Sequence, residues 1–474
     1  MVPTGSTTGR TDARPSLETT PIPGMVVLRL DVREDARGWF KENWQREKMV
    51  ALGLPDFGPV QNNISFNASA GATRGIHAEP WDKFVSVGTG RVFGAWVDLR
   101  EGDSFGAVFT VEITPWVAVF VPRGVGNAFQ TLEDATSYTY LVNDHWRPGT
   151  TYPALALDDA TAAIPWPIPL DRAEVSDKDR EQNPRLDGVT PMAPRRTLVI
   201  GGNGQLGRAL AAALPRAEAV DRERLDITDS AALHAWPWAD YDTVVNAAAW
   251  TAVDAAEDER AGAWAANATA PAVLAGIARD HRLTLVHYST DYVFDGAVEL
   301  HGEEERVAPL GVYGQSKAAG ELAVAAAPRH YVLRTSWLVG DGANFVRTMA
   351  SLADRGVSPS VVDDQRGRLT FADDLARATV HLIASGAAYG TYNVSSGGTG
   401  QTWADIAREV FRLRGRDPED VTGVSTEDYF ADKPGAPRPR HSMLDLAKLE
   451  ATGFKPADGF RALKAYVAEL PAQG

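Results

Sequence analysis

Cysteine is absent from all 474 residues. That absence excludes disulfides, cysteine-ligated zinc and thiol nucleophiles together, and it fits a cytoplasmic enzyme. No run of about 18 apolar residues occurs, so no transmembrane helix is expected. Cations are in the minority, 47 Lys and Arg against 62 Asp and Glu, for a net charge of −15. A nucleic-acid or anionic-membrane partner needs clustered Lys and Arg, so neither is expected. An anionic substrate must therefore meet a few locally placed cations. Histidine is scarce in the first half, where only His77 and His145 occur. Two histidines without cysteine are too few for a several-histidine metal site, so the site expected there holds no metal.

What the chain does have is a glycine fingerprint, Gly201-Gly202-Asn203-Gly204-Gln205-Leu206-Gly207, between the strand-like Thr197–Ile200 and an alanine-rich helix. Glycines at 201, 204 and 207 permit the tight turn and let backbone approach a pyrophosphate, while the helix N-terminus supplies N–H groups. A dinucleotide site that opens near position 200 implies a separate domain before it. Residues 1–20, rich in Gly, Ser, Thr and Pro, read as a disordered tail. Residues 21–182 show short alternating segments split by Gly, Asn and Asp, the pattern of an all-β domain. Residues 183–196, with three prolines, read as a linker. From 197 to 474 strand and helix patterns alternate, as in an α/β domain.

In the second half, Leu285–Phe294 is a strand ending in Ser289, Thr290 and Asp291. Tyr313 and Lys317 follow at i, i+4, on one helix face. A phenol titrates near pH 10, so an adjacent ammonium that lowers this value would suit carbonyl reduction. With the fingerprint, Leu225-Asp226-Ile227, Val244–Asp254, Arg334–Trp337, Asp364-Gln365-x-Gly367 and Arg438-Pro439-x-x-Ser442, this half resembles the dTDP-4-dehydrorhamnose reductases, which are extended short-chain dehydrogenases. The resemblance implies a Rossmann fold with a small substrate-binding lobe. It implies that Gly201, Asn203, Gly204, Gln205, Leu206, Gly207, Asp226, Ile227, Ala249, Trp250 and Thr251 bind NADH or NADPH with Tyr313 and Lys317. Tyr313, Lys317 and Thr290 form the implied catalytic set, and Thr290, Asp291 and Trp337 contact the sugar. Trp250 departs from the family's usual Tyr. Asp221 would favour a free ribose hydroxyl, whereas Arg222 and Arg224 could pair with a 2′-phosphate. Relatives sometimes use Mg2+, for which no ligands can be placed here.

The first half holds Gln61-Asn62-Asn63-Ile64-Ser65, Arg74-Gly75-Ile76-His77, Lys83 and, far along the chain, Asp179. A β-rich domain with these groups points to a cupin-like jelly-roll barrel in which His77 is a general base oriented by a carboxylate, with a cation near a developing oxyanion. Together with Arg37-Gly38-x-Phe40-x-Glu42, Val97–Arg100, Pro122-x-Gly124 and Trp166-Pro167, these residues resemble the dTDP-4-dehydrorhamnose 3,5-epimerases. The resemblance implies His77 and Asp179 as a dyad, Lys83 stabilising the enolate and Tyr140, rather than Tyr138, returning the proton. Arg37, Glu42, Gln61, Asn63, Arg74, Lys83 and Lys178 would bind the dTDP-sugar, and the family likeness implies a homodimer through this domain. Two departures stand out, Asn127-Ala128 where the family has His-Gly, and the replacement of a substrate-contacting Glu near Thr151. The two halves together are expected to epimerise and then reduce one sugar nucleotide. Alternatives are a non-catalytic or single-carbon first half, or a dinucleotide-sensing regulator.

Overall fold

The computed structural model describes residues 15–146, 148–432 and 434–471. It divides into two compact units, Met1–Pro194 and Arg195–Gly474. The first unit is a two-sheet barrel of the cupin type. One sheet runs Ser16–Thr19, Val26–Arg29, Val117–Val121, Lys83–Thr89, Thr136–Val142 and Gln61–Asn67; the other runs Glu174–Val175, Ala72–His77, Val125–Thr131, Val92–Asp98 and Val108–Ile113. Inward side chains such as Val85, Val87, Trp96, Val119 and Phe129 fill the space between the sheets. A second apolar layer, including Leu155, Leu157 and Ile164, packs on Ile76, Ala95 and Val97.

Two expectations about segment ends need correction. The tail lies outside the described residues up to position 14, but Ser16–Thr19 is a strand paired antiparallel with Val26–Arg29. The Thr20 hydroxyl closes the return by donating to the carbonyls of Ile22 and Met25 at 3.1 and 3.0 Å. The expected linker is also largely bound. Leu186 and Val189 bury in the first unit's core, the Leu186 N–H donates to Asp159 Oδ2 at 2.9 Å, and Arg196 already begins a strand of the second unit.

The second unit is a Rossmann fold. Six parallel strands lie in the order Glu218–Val220, Arg196–Ile200, Tyr241–Asn246, Thr284–Thr290, His330–Thr335 and Gly390–Asn393. The chain leaves Arg196–Ile200 to one side and returns on the other, so the switch point lies between that strand and Tyr241–Asn246, where ligands bind in such sheets. All seven residues of Thr284–Thr290 are buried, with Leu285, Val286 and Tyr288 packed in the cores on its faces and Ser289 and Thr290 carried to the strand's C-terminal end. Helices cover both faces. A smaller lobe with its own core, built from Val346, Met349, Ile406, Val410, Phe411 and Leu463 among others, completes the unit.

Candidate active sites

In the first unit His77 ends the strand Ala72–His77, and the short parallel pairing of Glu174–Val175 with Ala72 and Thr73 brings the following helix alongside it. Ser176 caps that helix by accepting from the Asp179 N–H at 3.2 Å. Asp179 Oδ1 therefore meets His77 Nε2 at 2.8 Å, across 102 residues of sequence. Burial raises the Asp179 carboxyl, but the hydrogen bond and charge of His77 outweigh it, and the net position is below the ordinary value. Because Nε2 is held by the carboxylate, Nδ1 carries the lone pair available to a substrate.

Lys83 opens the next strand, is buried, and pairs with Glu79. Its ammonium lies 5.6 Å from the Tyr140 ring centroid. Burial, then the charge of Glu79, pushes the Tyr140 phenol up, with Arg74 opposing. Tyr138 points the same way along its strand but is fully buried, stacked on Phe129 at 4.0 Å, and donates to Asn127 Oδ1 at 3.2 Å. Asn127 Oδ1 also accepts from Trp96 Nε1 at 2.9 Å, so this residue is a structural acceptor inside the barrel. Asn63 lies opposite Tyr140 in register and accepts from Gln61 Nε2 at 2.9 Å.

Three expected substrate residues do not join this group. Arg37 is 90% exposed in its side chain and pairs with Asp35 at 2.6 Å. Glu42 pairs with Lys48 beside a separate cleft of about 320 Å³ that Phe40 and Arg33 also line. Both belong to or border the hairpin Val32–Asp35/Gly38–Lys41, whose turn holds them at the surface. Lys178 points to solvent because its helix turns the neighbouring Asp179 inward. Thr151 is exposed, whereas the Tyr152 ring lies 6.2 Å from His77 and 6.3 Å from Trp81. The segment after it, paired through Ala154 with His77, fixes it there. In this unit Glu79, in the loop between His77 and Lys83, and Tyr152, just before the segment that pairs with His77, join the group without belonging to any of the sequence motifs.

In the second unit the glycine turn and strand ends line a cleft of about 1020 Å³. Gly201 has φ +85°, and a Cβ there would lie 2.8 Å from the Ala248 nitrogen. A Cβ on Gly207 would strike the Gly201 carbonyl. The turn is thus a cradle that only glycine permits, and its Gly204-capped helix points N–H groups into it, which fits a dinucleotide pyrophosphate. Asn203, Gln205, Leu206, Asp226, Ile227, Ala249, Trp250 and Thr251 line the same cleft with Thr290, Asp291, Tyr313, Lys317 and Trp337. Asn267, in a π-turn over Ala265–Thr269, holds the Trp250 backbone through bonds of 2.9 and 3.0 Å and was not read from the sequence.

The electrostatics differ from expectation at one point. Burial, then the charge of Asp291, raises the Tyr313 phenol to about 12, with Thr290 opposing. Lys317 does not lower it; its ammonium donates to the Tyr288 carbonyl at 2.5 Å, and burial brings it down to about 8. Burial also raises Asp291 to about 6, although Ser442 and Thr290 hydrogen-bond it. Asp221 accepts from Asn203 Nδ2 at 2.8 Å and from the Arg224 N–H at 3.1 Å. Arg224 pairs with Glu218, while Arg222 reaches Asp226 at 3.0 Å. Among the described residues no group of three or more His, Asp and Glu could hold a metal ion. No described helix is long and apolar enough to cross a membrane.

Comparison with known proteins agrees with both halves. The family model for the RmlD substrate binding domain matches residues 195–471, and that for dTDP-4-dehydrorhamnose 3,5-epimerase matches 19–187. The first half is 46% identical over 185 residues to the protein RmlC homolog of Streptococcus pyogenes, covering 38% of this chain and 92% of that one. The second is 40% identical over 288 residues to the dTDP-4-dehydrorhamnose reductase of Streptomyces griseus, covering 58% of this chain and 93% of that one. A reductase structure from Bacillus anthracis in complex with NADP is 32% identical, with a TM-score of 0.54, over 58% of this chain and 99% of that one. With a dyad on one unit, a dinucleotide cradle on the other and both families matched nearly end to end, the chain belongs to the dTDP-4-dehydrorhamnose reductase family, fused to a domain of the dTDP-4-dehydrorhamnose 3,5-epimerase family.

Proposed function

We propose that this chain performs two consecutive steps in making dTDP-L-rhamnose: epimerisation of dTDP-4-dehydro-6-deoxy-D-glucose at C3 and C5, then reduction of C4 with NADPH. The observation that carries the reading is that one chain holds both acid–base sets, His77–Asp179 with Lys83 and Tyr140, and Tyr313 with Lys317 and Thr290 beside the glycine cradle. The C4 ketone acidifies the protons at C3 and C5. His77 Nδ1 takes each proton, Asp179 stabilises the imidazolium, and Lys83 faces the enolate oxygen. Tyr140, a protonated phenol, returns a proton from the opposite face.

For the second step NADPH, held in the glycine cradle, would supply the hydride that reduces C4. Tyr313, with its phenol raised to about 12, is a protonated donor for the resulting alkoxide. Thr290 and Asp291 hold the sugar, and Lys317 faces the cofactor ribose. NADPH is preferred over NADH in this reading because Arg222 remains at the adenosine rim. The protein acts in the cytoplasm as a homodimer. Support for the dimer comes from the exposed Ile64 and Phe66 on the edge strand Gln61–Asn67, and from Arg37 and Glu42, which one copy leaves away from His77.

The test supplies the unepimerised substrate and NADPH in deuterated water and follows NADPH loss with deuterium at C3 and C5. Deuterium at both carbons and a rhamnose product are expected. Deuterium at one carbon would restrict the first unit to that position. Consumption of NADPH only after a separate epimerase is added would reduce the first unit to a binding module.

A further inference from the structure

Trp337 and Trp403 stack face to face in the reductase cleft, with ring centroids 3.8 Å apart and planes 19° from parallel. Trp337 adopts a left-handed backbone, φ 47°, which bulky residues rarely occupy without support. Three features hold it. Trp403 stacks on it, the Thr370 N–H donates to its carbonyl at 3.1 Å, and Gly367 leaves room, since a Cβ there would lie 2.8 Å from the indole. Trp403 is itself fixed at the first position of the helix Trp403–Leu413, where Thr402 and Asp405 form a capping box. Phe345 buttresses it edge-on at 4.6 Å. Neither indole N–H has a hydrogen-bond partner among the described residues, and both rings line the cleft that holds Tyr313. A strained backbone is thus supported on three sides to keep one aromatic surface in the cleft.

We propose that Trp403 is a specificity-determining residue of the reductase, forming with Trp337 an apolar platform for the C5–C6 edge of a 6-deoxyhexose. The inference rests on the reductase reading given above. Thr290, Asp291 and Tyr313 offer hydroxyls and a carboxylate to the oxygen-bearing carbons, but a methyl group needs an apolar wall. Two stacked indoles supply one that is rigid and does not reorganise on binding.

The test uses the full chain in reverse, oxidising dTDP-L-rhamnose with NADP+, which bypasses the first unit. It is compared with dTDP-L-lyxose, which keeps the ring stereochemistry and lacks the methyl. One methyl in an apolar pocket is worth roughly 10- to 200-fold in discrimination, so Trp403→Ala should raise KM for dTDP-L-rhamnose about tenfold and remove most of its preference over the pentose. KM for NADP+ should stay within about twofold, which also shows that the variant folds. Trp403→Phe should restore most of the preference. Equal losses for both sugars, an unchanged preference, or a Phe variant as damaged as the Ala variant would each overturn the inference. Failure of the unsubstituted chain to oxidise dTDP-L-rhamnose would instead sink the reductase reading itself.

Discussion

Each unit buries a carboxylate beside the groups proposed for catalysis, Asp179 at 6% exposure in the first and Asp291 at 1% in the second, and the two surroundings treat them oppositely. Asp179 is met by an imidazole and sits below the ordinary carboxyl range. Asp291 is met by the neutral hydroxyls of Ser442 and Thr290 and rises to about 6. The same contrast extends to the cations. Lys83 has a carboxylate partner in Glu79, whereas Lys317 has a backbone carbonyl. The first site balances its own charges, as suits proton transfers that need no cofactor. The second leaves charge uncompensated in a large cleft, as suits a site built around a charged dinucleotide.

The sharpest way to break this comparison is to disable each site separately. Removing a positioned general base or acid typically costs about 10²- to 10⁴-fold. His77→Ala should lower deuterium exchange at the sugar by that order, while reduction of supplied dTDP-4-dehydrorhamnose continues. Tyr313→Phe should do the converse, stopping NADPH oxidation and sparing exchange. Loss of both activities in either variant would mean that the two sites do not work independently.

A smaller effect, a few kcal/mol at most, concerns stability, and its sign should differ between the units. Asp291 has a native value near 6, above its unfolded value, so the native state binds the extra proton and stability falls as pH rises through that window. At neutral pH the buried charge costs up to ~3 kcal/mol. Asp291→Asn should therefore raise the melting temperature of the second unit at pH 7.5, with the gain vanishing below about pH 4. Asp179 is depressed, so its contribution is present above the unfolded value and lost as pH falls through the native one. Asp179→Asn should destabilise the first unit at pH 7.5 and matter little in acid. Calorimetry of the full chain, which resolves transitions of separate units, checks both; shifts of the same sign would refute the contrast.

The second unit was more legible than the first in the sequence, for a physical reason. Thr284–Thr290 is buried on both faces, and Gly201 and Gly207 leave a steric signature that a short motif preserves. Val117–Val121 in the barrel core is legible from its unbroken apolar run. The strands that carry the first site read poorly. Gln61–Asn67 and Ala72–His77 are rich in Asn, Ser, Arg and Gly, and propensity rules score such sequences as loop. Glu79 and Tyr152 were missed because their roles depend on a short loop and a strand bridge that no local pattern announces. Arg37 and Glu42 show the opposite limit, since the motif that names them does not carry them to His77 within one chain.

The smallest expected effect tests how the second unit reads its cofactor. Asp221 is fixed by Asn203 and by the Arg224 backbone, and Arg224 is drawn to Glu218. Arg222, 83% exposed in its side chain, lies at the rim of the cleft, held by an i, i+4 pair with Asp226. Exposed ion pairs of this kind are worth about 0–1 kcal/mol, so little is lost when Arg222 exchanges Asp226 for a 2′-phosphate. Arg222→Ala should raise KM for NADPH by about three- to tenfold and leave NADH within about twofold. Asp221→Ala should act the other way, weakening NADH by removing the acceptor for a free ribose hydroxyl. Because one contact is an exposed surface cation and the other a hydrogen-bonded carboxylate, salt should erode the NADPH preference while sparing NADH. Steady-state KM values for both cofactors, at low and high ionic strength, decide the point; equal changes for the two cofactors in the Arg222 variant would remove Arg222 from cofactor selection.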